Sequence, residues 1–283
     1  VKAMTETIFA YEPAIRLGFF VGILLLMAIW EIATPRRPQR YRRRQRWPHN
    51  LLLVIVDTLA VRLLFPLVPV GVALAAAERG WGLFNFLAMP MWFEIVLSVP
   101  ALDFIIYLQH RLFHAMPWLW RLHRMHHADL EFDVTTGLRF HPLEILLSMG
   151  IKLAAVVAFG TPALAVLIFE VALNATSMFN HGNVRLPDWL DRYLRLVVVT
   201  PEMHRVHHSM VRRETNSNFG FNFPWWDRLF GTYRAQPEAG HLNMTIGIED
   251  FREARELRLD RMLLQPFRNP EQRRPRAENP MNE

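Results

Sequence analysis

The stretch "DFIIYLQHRLFHAMPWLWRLHRMHH", residues 103–127, begins as an apolar helix and carries five histidines. Asp103, Tyr107, His110 and His114 stand at relative positions 0, 4, 7 and 11. At about 100° per residue they fall in one polar stripe roughly 60° wide. The other faces hold Ile105, Ile106, Leu108 and Leu112. A polar stripe on a helix that leaves a bilayer must face protein or an ion, because an intramembrane carboxylate is costly unless paired. Asp103 is therefore a candidate functional residue, expected to orient ligands or to fix a neighbouring helix.

Working outward, "HRMHH" places His123, His126 and His127 at spacing 0, 3 and 4, and "HRVHH" repeats this with His204, His207 and His208. Residues three and four apart share a helix face, so the rings of each triplet can converge. Adding His110, His114 and His181 gives nine imidazoles. That is too many for one four-coordinate ion and suits two neighbouring ions with four or five ligands each. The zinc-protease pattern His-Glu-x-x-His is absent, and no clustered histidine follows a glutamate at the spacing of soluble di-iron bundles. There is no cysteine, which excludes thiolate sites, disulfides and cysteine nucleophiles. What remains is a nearly all-nitrogen, neutral ligand set. Iron would make it an oxygen activator and zinc would make it hydrolytic or structural; spacing leaves both open.

The solvent of this site follows from the flanks. Hydrophobic residues make up 52% of the 283-residue chain and are concentrated in five runs, of which the first has the length that crosses a bilayer and the last two are short and contain Lys152, Glu170 and Asn174. These cover residues 14–33, 51–77, 91–108, 143–159 and 163–179. The second is interrupted by Asp57, Arg62, Pro66 and Pro69, which predicts one kinked or tilted helix. The last two are joined by Gly160, Thr161 and Pro162, a turn signal, and form a hairpin that spans or dips into the membrane, or helices packed against protein rather than lipid. A net charge of +6 is compatible with nucleic acid. However, "PRRPQRYRRRQRW", residues 35–47, directly follows an apolar run, which favours a membrane and no nucleic-acid partner. The positive-inside rule places this arginine loop in the cytoplasm, and counting crossings puts every histidine cluster on that same face.

The predicted fold class is an all-α membrane protein of four to five transmembrane or partly re-entrant helices with a cytosolic helical cap. The expected organisation is transmembrane helices in 1–109, cap in 110–142, a membrane hairpin in 143–180, further cap in 181–264 and a disordered tail in 265–283. Within the second cap part, residues 250–264 have a helical charge pattern.

"DFIIYLQHRLFH", the two His-x2-His-His boxes, the His-Pro of "RFHPLE", "NHGN" and "TNSNFGFNFPWWDRLFGTYR" together resemble the fatty acid hydroxylase/sterol desaturase superfamily over residues 103–234. The resemblance implies an integral membrane enzyme, in a bacterial inner membrane, with a two-iron site facing the cytoplasm, although zinc can occupy such a site on isolation. It would use O2 and a separate electron donor, such as a ferredoxin or a cytochrome b5-like protein, to hydroxylate a lipid chain or sterol-like substrate. Desaturation or ether-lipid cleavage at the same site is the alternative, as is a non-redox membrane protein with structural zinc. The resemblance carries the nine histidines over as metal ligands and makes His141 a further outer ligand or a packing residue. Ser177 stands where some fatty-acid hydroxylases have one more histidine. "WDRLFGTY" predicts a short helix ending at Gly231, with Asp227 placed to orient ligand histidines alongside Asp103. The aromatic residues of 219–226 are expected to roof a lipid slot or to pack the cap.

Overall fold

Prolines and one glycine set most of the helix boundaries. The computed structural model describes residues 9–87 and 89–269. Helix α1 (Glu12–Ala33) has Pro13 in its first turn, where a missing N–H removes no intrahelical bond. Helix α2 (Arg43–Leu64) ends at Phe65, whose extended backbone is what a following proline imposes. The chain restarts as α3 (Pro69–Glu78), followed by the single turn α4 (Leu83–Phe86). The second apolar run is thus two helices with a break between them, and the expectation of one kinked helix over 51–77 is corrected. Pro66 and Pro69 each remove a donor within one turn, more than a kink can absorb.

Helix α5 (Met91–Ala115) is followed by α6 (Pro117–His127), α7 (Pro142–Phe159) and α8 (Ala163–Asn180). The hairpin between α7 and α8 turns at Gly160, which has φ 66° and whose N–H bonds the Val156 and Val157 carbonyls. A Cβ there would lie 2.6 Å from Asn85 Nδ2, so glycine is required on both counts. Short helices complete the chain: α9 (Asp188–Leu194), α10 (Pro201–His207), α11 (Arg212–Thr215), α12 (Trp225–Leu229), α13 (Gly240–Asn243) and α14 (Leu259–Leu264). Among the described residues there is no strand, only the isolated bridges Pro35–Val184 and Ser209–Ile246.

Among the described residues, five segments are long and apolar enough to cross a membrane: Glu12–Ala33, Arg43–Phe86, Met91–Ala115, Pro142–Phe159 and Ala163–Asn180. Their outer surface is apolar, with Leu63 and Phe86 exposed at 87% and 78%. Inside, Ala73 of α3, Leu102 of α5, Ala155 and Val156 of α7, and Ala163 and Phe169 of α8 form one core. The alanines let the backbones approach, which matters where packing rather than water drives association. With 25 residues α5 is about 37 Å long, against a hydrocarbon thickness of about 30 Å. Its last turns, with His110 and His114, therefore project toward the cap.

The cap is pinned to the membrane helices by buried charge. Arg46 of α2 is fully buried and bonds Asp129 at 2.9 and 2.7 Å, Thr136 at 3.2 Å, and Asp133. Burial opposes ionisation of Asp133, yet Arg46 and the surrounding donors hold its carboxyl down at about 2. Glu31 of α1 accepts the N–H groups of Val134 and Asn183 at 2.7 and 2.8 Å. Arg36 reaches Glu202 at 2.7 Å, and Arg37 donates to the Met244 carbonyl at 2.7 Å. Several arginines of the basic run are therefore cap structure rather than lipid contacts.

One expectation near the C-terminus is corrected. Residues 250–264, with their helical charge pattern, form a 3-10 turn (Ala254–Leu257) and α14, with Phe251 at φ 58° preceding them. The tail expected to be disordered from 265 instead continues as a packed turn, Gln265–Phe267. Arg124 donates to the Gln265 carbonyl at 2.6 Å and Arg121 to the Pro266 carbonyl at 2.7 Å, so α6 holds this segment. Residues 270–283 lie outside the described residues.

Candidate metal centre

The nine clustered histidines meet in two groups. His110, His114, His123, His127 and His207 form one; His126, His181, His204 and His208 form the other. Within each, one nitrogen per ring lies within 4.8 Å of all the others. The rings come from the end of α5, the last two turns of α6, the residue closing α8, and α10 with the residue that follows it. Each His-x2-His-His box is divided between the groups. His123 and His127 face one centre and His126 the other, while His207 separates from His204 and His208 in the same way. Neighbouring residues on a helix diverge by about 100°, so a triplet at this spacing can serve two adjacent centres.

Hydrogen bonds on the outer ring nitrogens fix what the inner nitrogens present. Nδ1 of His110 donates to the Phe219 carbonyl at 2.8 Å, that of His181 to Ser177 at 2.8 Å, that of His207 to Ser217 at 2.7 Å, and that of His126 to Arg139 at 3.2 Å. A carbonyl only accepts, so each of these Nδ1 atoms bears the proton and Nε2 keeps its lone pair. His123 Nδ1 is 2.7 Å from Glu144 Oε1, with the same consequence. Yet the Nε2 atoms of His110 and His123 are 3.1 Å apart, and those of His126 and His181 are 3.2 Å apart. Two lone pairs face one another in both places. Nε2 of His114, His127 and His207 is buried with no partner among the described residues. Converging lone pairs and orphaned nitrogens are relieved together by a cation in each group, and the donor set fits a divalent transition metal.

Burial also keeps the rings neutral. It pushes the imidazoles of His123 and His181 down to about 3. His126, His127, His204, His207 and His208 are held well below the ordinary 6.5, by burial first and by neighbouring imidazoles second. Neutral rings are what metal ligation needs.

Of the other expected site residues, His141 stands apart. It caps α7, with Nδ1 accepting from Leu143 N and Nε2 donating to the Leu263 carbonyl, both at 3.2 Å. Both nitrogens are occupied and the ring belongs to neither group, so an outer-ligand role is corrected to a helix cap. Ser177 donates to the Gly137 carbonyl at 2.7 Å, while its own carbonyl receives His181. Asp103 and Asp227 contact no histidine ring. Asp103 accepts from Asn222 N at 3.0 Å, Phe223 N at 3.3 Å and Trp226 Nε1 at 2.8 Å. Asp227 accepts from Phe219 N, Gly220 N and Thr232 Oγ1 at 2.8, 2.7 and 2.6 Å. Together they hold the loop whose Ser217 and Phe219 carbonyls receive His207 and His110. They act on the rings through the backbone.

Glu144 was missed by sequence reading. It lies in the first turn of α7, is buried, and reaches back to His123. Its signal was present in "RFHPLE", as a carboxylate one helical turn past a capping histidine. Asn216, whose Oδ1 is 3.3 Å from His114 Nδ1, was missed likewise.

A cavity of about 340 Å³ runs from the histidines into the membrane helices. His110, His123, His126 and His204 line the cavity, and so do Arg16, Lys152 and Glu170, which lie farther along the membrane helices. Of the aromatic stretch, Phe221 lines the cavity, whereas Phe219 packs its ring 5.1 to 5.6 Å from His110, His114 and His207.

Residues 95–232 match the fatty acid hydroxylase family. The chain is 34% identical over 158 residues to an ornithine lipid hydroxylase of Rhizobium tropici, a match covering 56% of this chain and 46% of that protein. It is 28% identical over 166 residues to an alkylglycerol monooxygenase of Homo sapiens, covering 56% of this chain and 34% of that protein. A cholesterol 25-hydroxylase of Rattus norvegicus is 26% identical over 150 residues, covering 53% and 49%. Each match spans less than half the length of the relative. No solved structure matches the chain significantly.

Proposed function

The chain belongs to the fatty acid hydroxylase/sterol desaturase superfamily, and from that premise we propose that it is a membrane-bound non-haem di-iron oxygenase that hydroxylates a lipid chain. The observation that supports this most strongly is the pair of histidine groups with inward lone pairs at the end of a membrane-embedded cavity. His110, His114, His123, His127 and His207 would hold one iron; His126, His181, His204 and His208 would hold the other. When bound, the metal pair supplies the redox chemistry by which one atom of O2 enters a C–H bond and the other leaves as water. Two electrons from a separate donor, a ferredoxin or a cytochrome b5-like protein, and two protons complete the balance.

The protein's own part is positioning. Carbonyls of Ser177, Ser217, Phe219 and Arg139 fix ring orientation, and Glu144 strengthens His123 as a ligand. The cavity holds an apolar chain against the histidines and keeps water away from the reacting carbon. The seven arginines between the first two apolar runs favour a cytoplasmic metal site, with the protein in a bacterial inner membrane.

Ether-lipid cleavage is a second outcome of the same site, favoured by the similarity to alkylglycerol monooxygenases. Hydroxylation beside an ether oxygen gives a hemiacetal that separates into aldehyde and alcohol without further catalysis. Lipids from iron-supplied cells with and without the gene distinguish the outcomes. Gain of one oxygen atom in an intact lipid supports hydroxylation, paired aldehyde and alcohol fragments support cleavage, and loss of two hydrogens supports desaturation. Tightly held zinc with no O2-dependent product would leave only a structural metal site.

A further inference from the structure

The cavity contains a second cluster that metal binding does not use. Glu170 of α8 is 2% exposed, with Oε2 2.8 Å from Arg16 Nη1 on α1 and Oε1 2.5 Å from Lys152 Nζ on α7. Arg16 Nη1 also meets Glu12 at 3.0 Å. All three helices are apolar enough to span a membrane, and Arg16, Lys152 and Glu170 all line the cavity. Ionisable groups inside a membrane are expensive and face cavities where they have a use. Both Glu170 oxygens are occupied, so the capacity left over is donor capacity: further N–H groups on Arg16 and Lys152.

Distance along the helices gives this cluster a function. Lys152 is eight residues beyond Glu144 on α7, about 12 Å. Glu170 is eleven residues before His181 along α8, about 16 Å. Apolar walls from Phe20, Ile106, Phe113, Leu138, Ile145 and Met149 complete the cavity. We infer that Arg16 and Lys152 are an anchor for the oxygen-bearing polar end of an amphiphilic substrate, which fixes the carbon presented to the histidines at about 12–16 Å from that end. The inference rests on the cavity being the substrate site of the proposed oxygenase. Glu170 keeps the two cations side by side, and Glu170 and Glu12 together balance their charge.

The test uses the full chain, iron-loaded in lipid nanodiscs, with dodecan-1-ol and dodecanoate as probes and dodecane as the matched molecule lacking a polar end. At saturating probe, dodecan-1-ol or dodecanoate raises the thermal midpoint by about 5 °C and dodecane by clearly less. The double variant Lys152→Met/Glu170→Gln, which removes one charge of each sign, abolishes that difference, and so does Arg16→Gln tested separately. Where wild-type protein oxidises one carbon of a lipid, either variant gives a spread of positional isomers. Equal shifts from alcohol and alkane, or variants that retain the full difference and the single product, would overturn the anchor. Iron content and O2-dependent oxidation are measured on the same samples. Their absence with a preserved alcohol-over-alkane difference counts against the oxygenase and not the anchor; their presence without that difference counts against the anchor alone.

Discussion

The two histidine groups are built from the same residue type and share α6 and α10, with α5 completing one and the residue closing α8 the other, and their surroundings differ. The four-histidine group is wholly buried, and its outer hydrogen bonds go to the Ser177 and Arg139 carbonyls. The five-histidine group has a carboxylate, Glu144, behind His123 and an amide, Asn216, behind His114. His114 is only half-buried, with its ring 5.0 Å from Trp120. One centre is closed, with backbone carbonyls as its outer partners; the other adds two side chains to the Phe219 and Ser217 carbonyls and reaches toward the cap surface. Substitutions should therefore act on one centre at a time, and the most damaging fall in the closed one.

His181→Ala has the largest expected effect. Its Nε2 lies 3.0 to 3.2 Å from those of His126, His204 and His208, so it is the hub of the closed group. The variant should lose one metal ion and all O2-dependent turnover while the five-histidine group stays loaded, as elemental analysis would read. Loss of both ions would show that the groups are not independent.

Acid sharpens the comparison next. Imidazoles held neutral by burial titrate lower in the folded chain than the ordinary 6.5, to about 3 for His123 and His181. Between those values the unfolded chain binds more protons, so metal-free protein loses stability as pH falls from 6.5 toward 3. The slope is about 1.4 kcal/mol per pH unit for each such ring. The thermal midpoint of chelator-treated protein should fall steeply through that window and be nearly flat above pH 7. A midpoint independent of pH from 7 to 4 would contradict the buried, neutral assignment.

Glu144→Gln should weaken metal affinity about ten- to a hundredfold in the five-histidine group alone, measured by competition with a chelator. Asp227→Asn loses acceptor strength toward Phe219 N, Gly220 N and Thr232, with an expected destabilisation of about 2 kcal/mol in chemical or thermal unfolding and a smaller loss of metal. His141→Ala should cost about 1 kcal/mol, the usual value of an N-cap, and leave metal content unchanged. A metal deficit in that variant would restore His141 to the ligand set.

The nine clustered histidines were legible in the sequence because metal ligation demands one residue type at helical spacing, and five apolar runs marked the helices around them. Their division into two groups was not legible. Local spacing places rings on a face, but which centre each meets depends on how α5, α6, α8 and α10 cross. Asp103 and Asp227 were recognisable as acids expected to orient ligands, yet besides Trp226 and Thr232 their partners are backbone N–H groups more than a hundred and about eight residues away in turn. No local pattern encodes that. The break after Leu64 shows a different limit: Pro66 and Pro69 were visible, but were read as a kink, whereas two lost donors within one turn end the helix.

Mössbauer spectroscopy of the iron-loaded full chain, with iron counted on the same sample, tests the paired centre most directly. Two irons per chain in two distinguishable, equally populated nitrogen-rich environments are predicted. One iron in a single environment, or protein that takes up no iron, would contradict it.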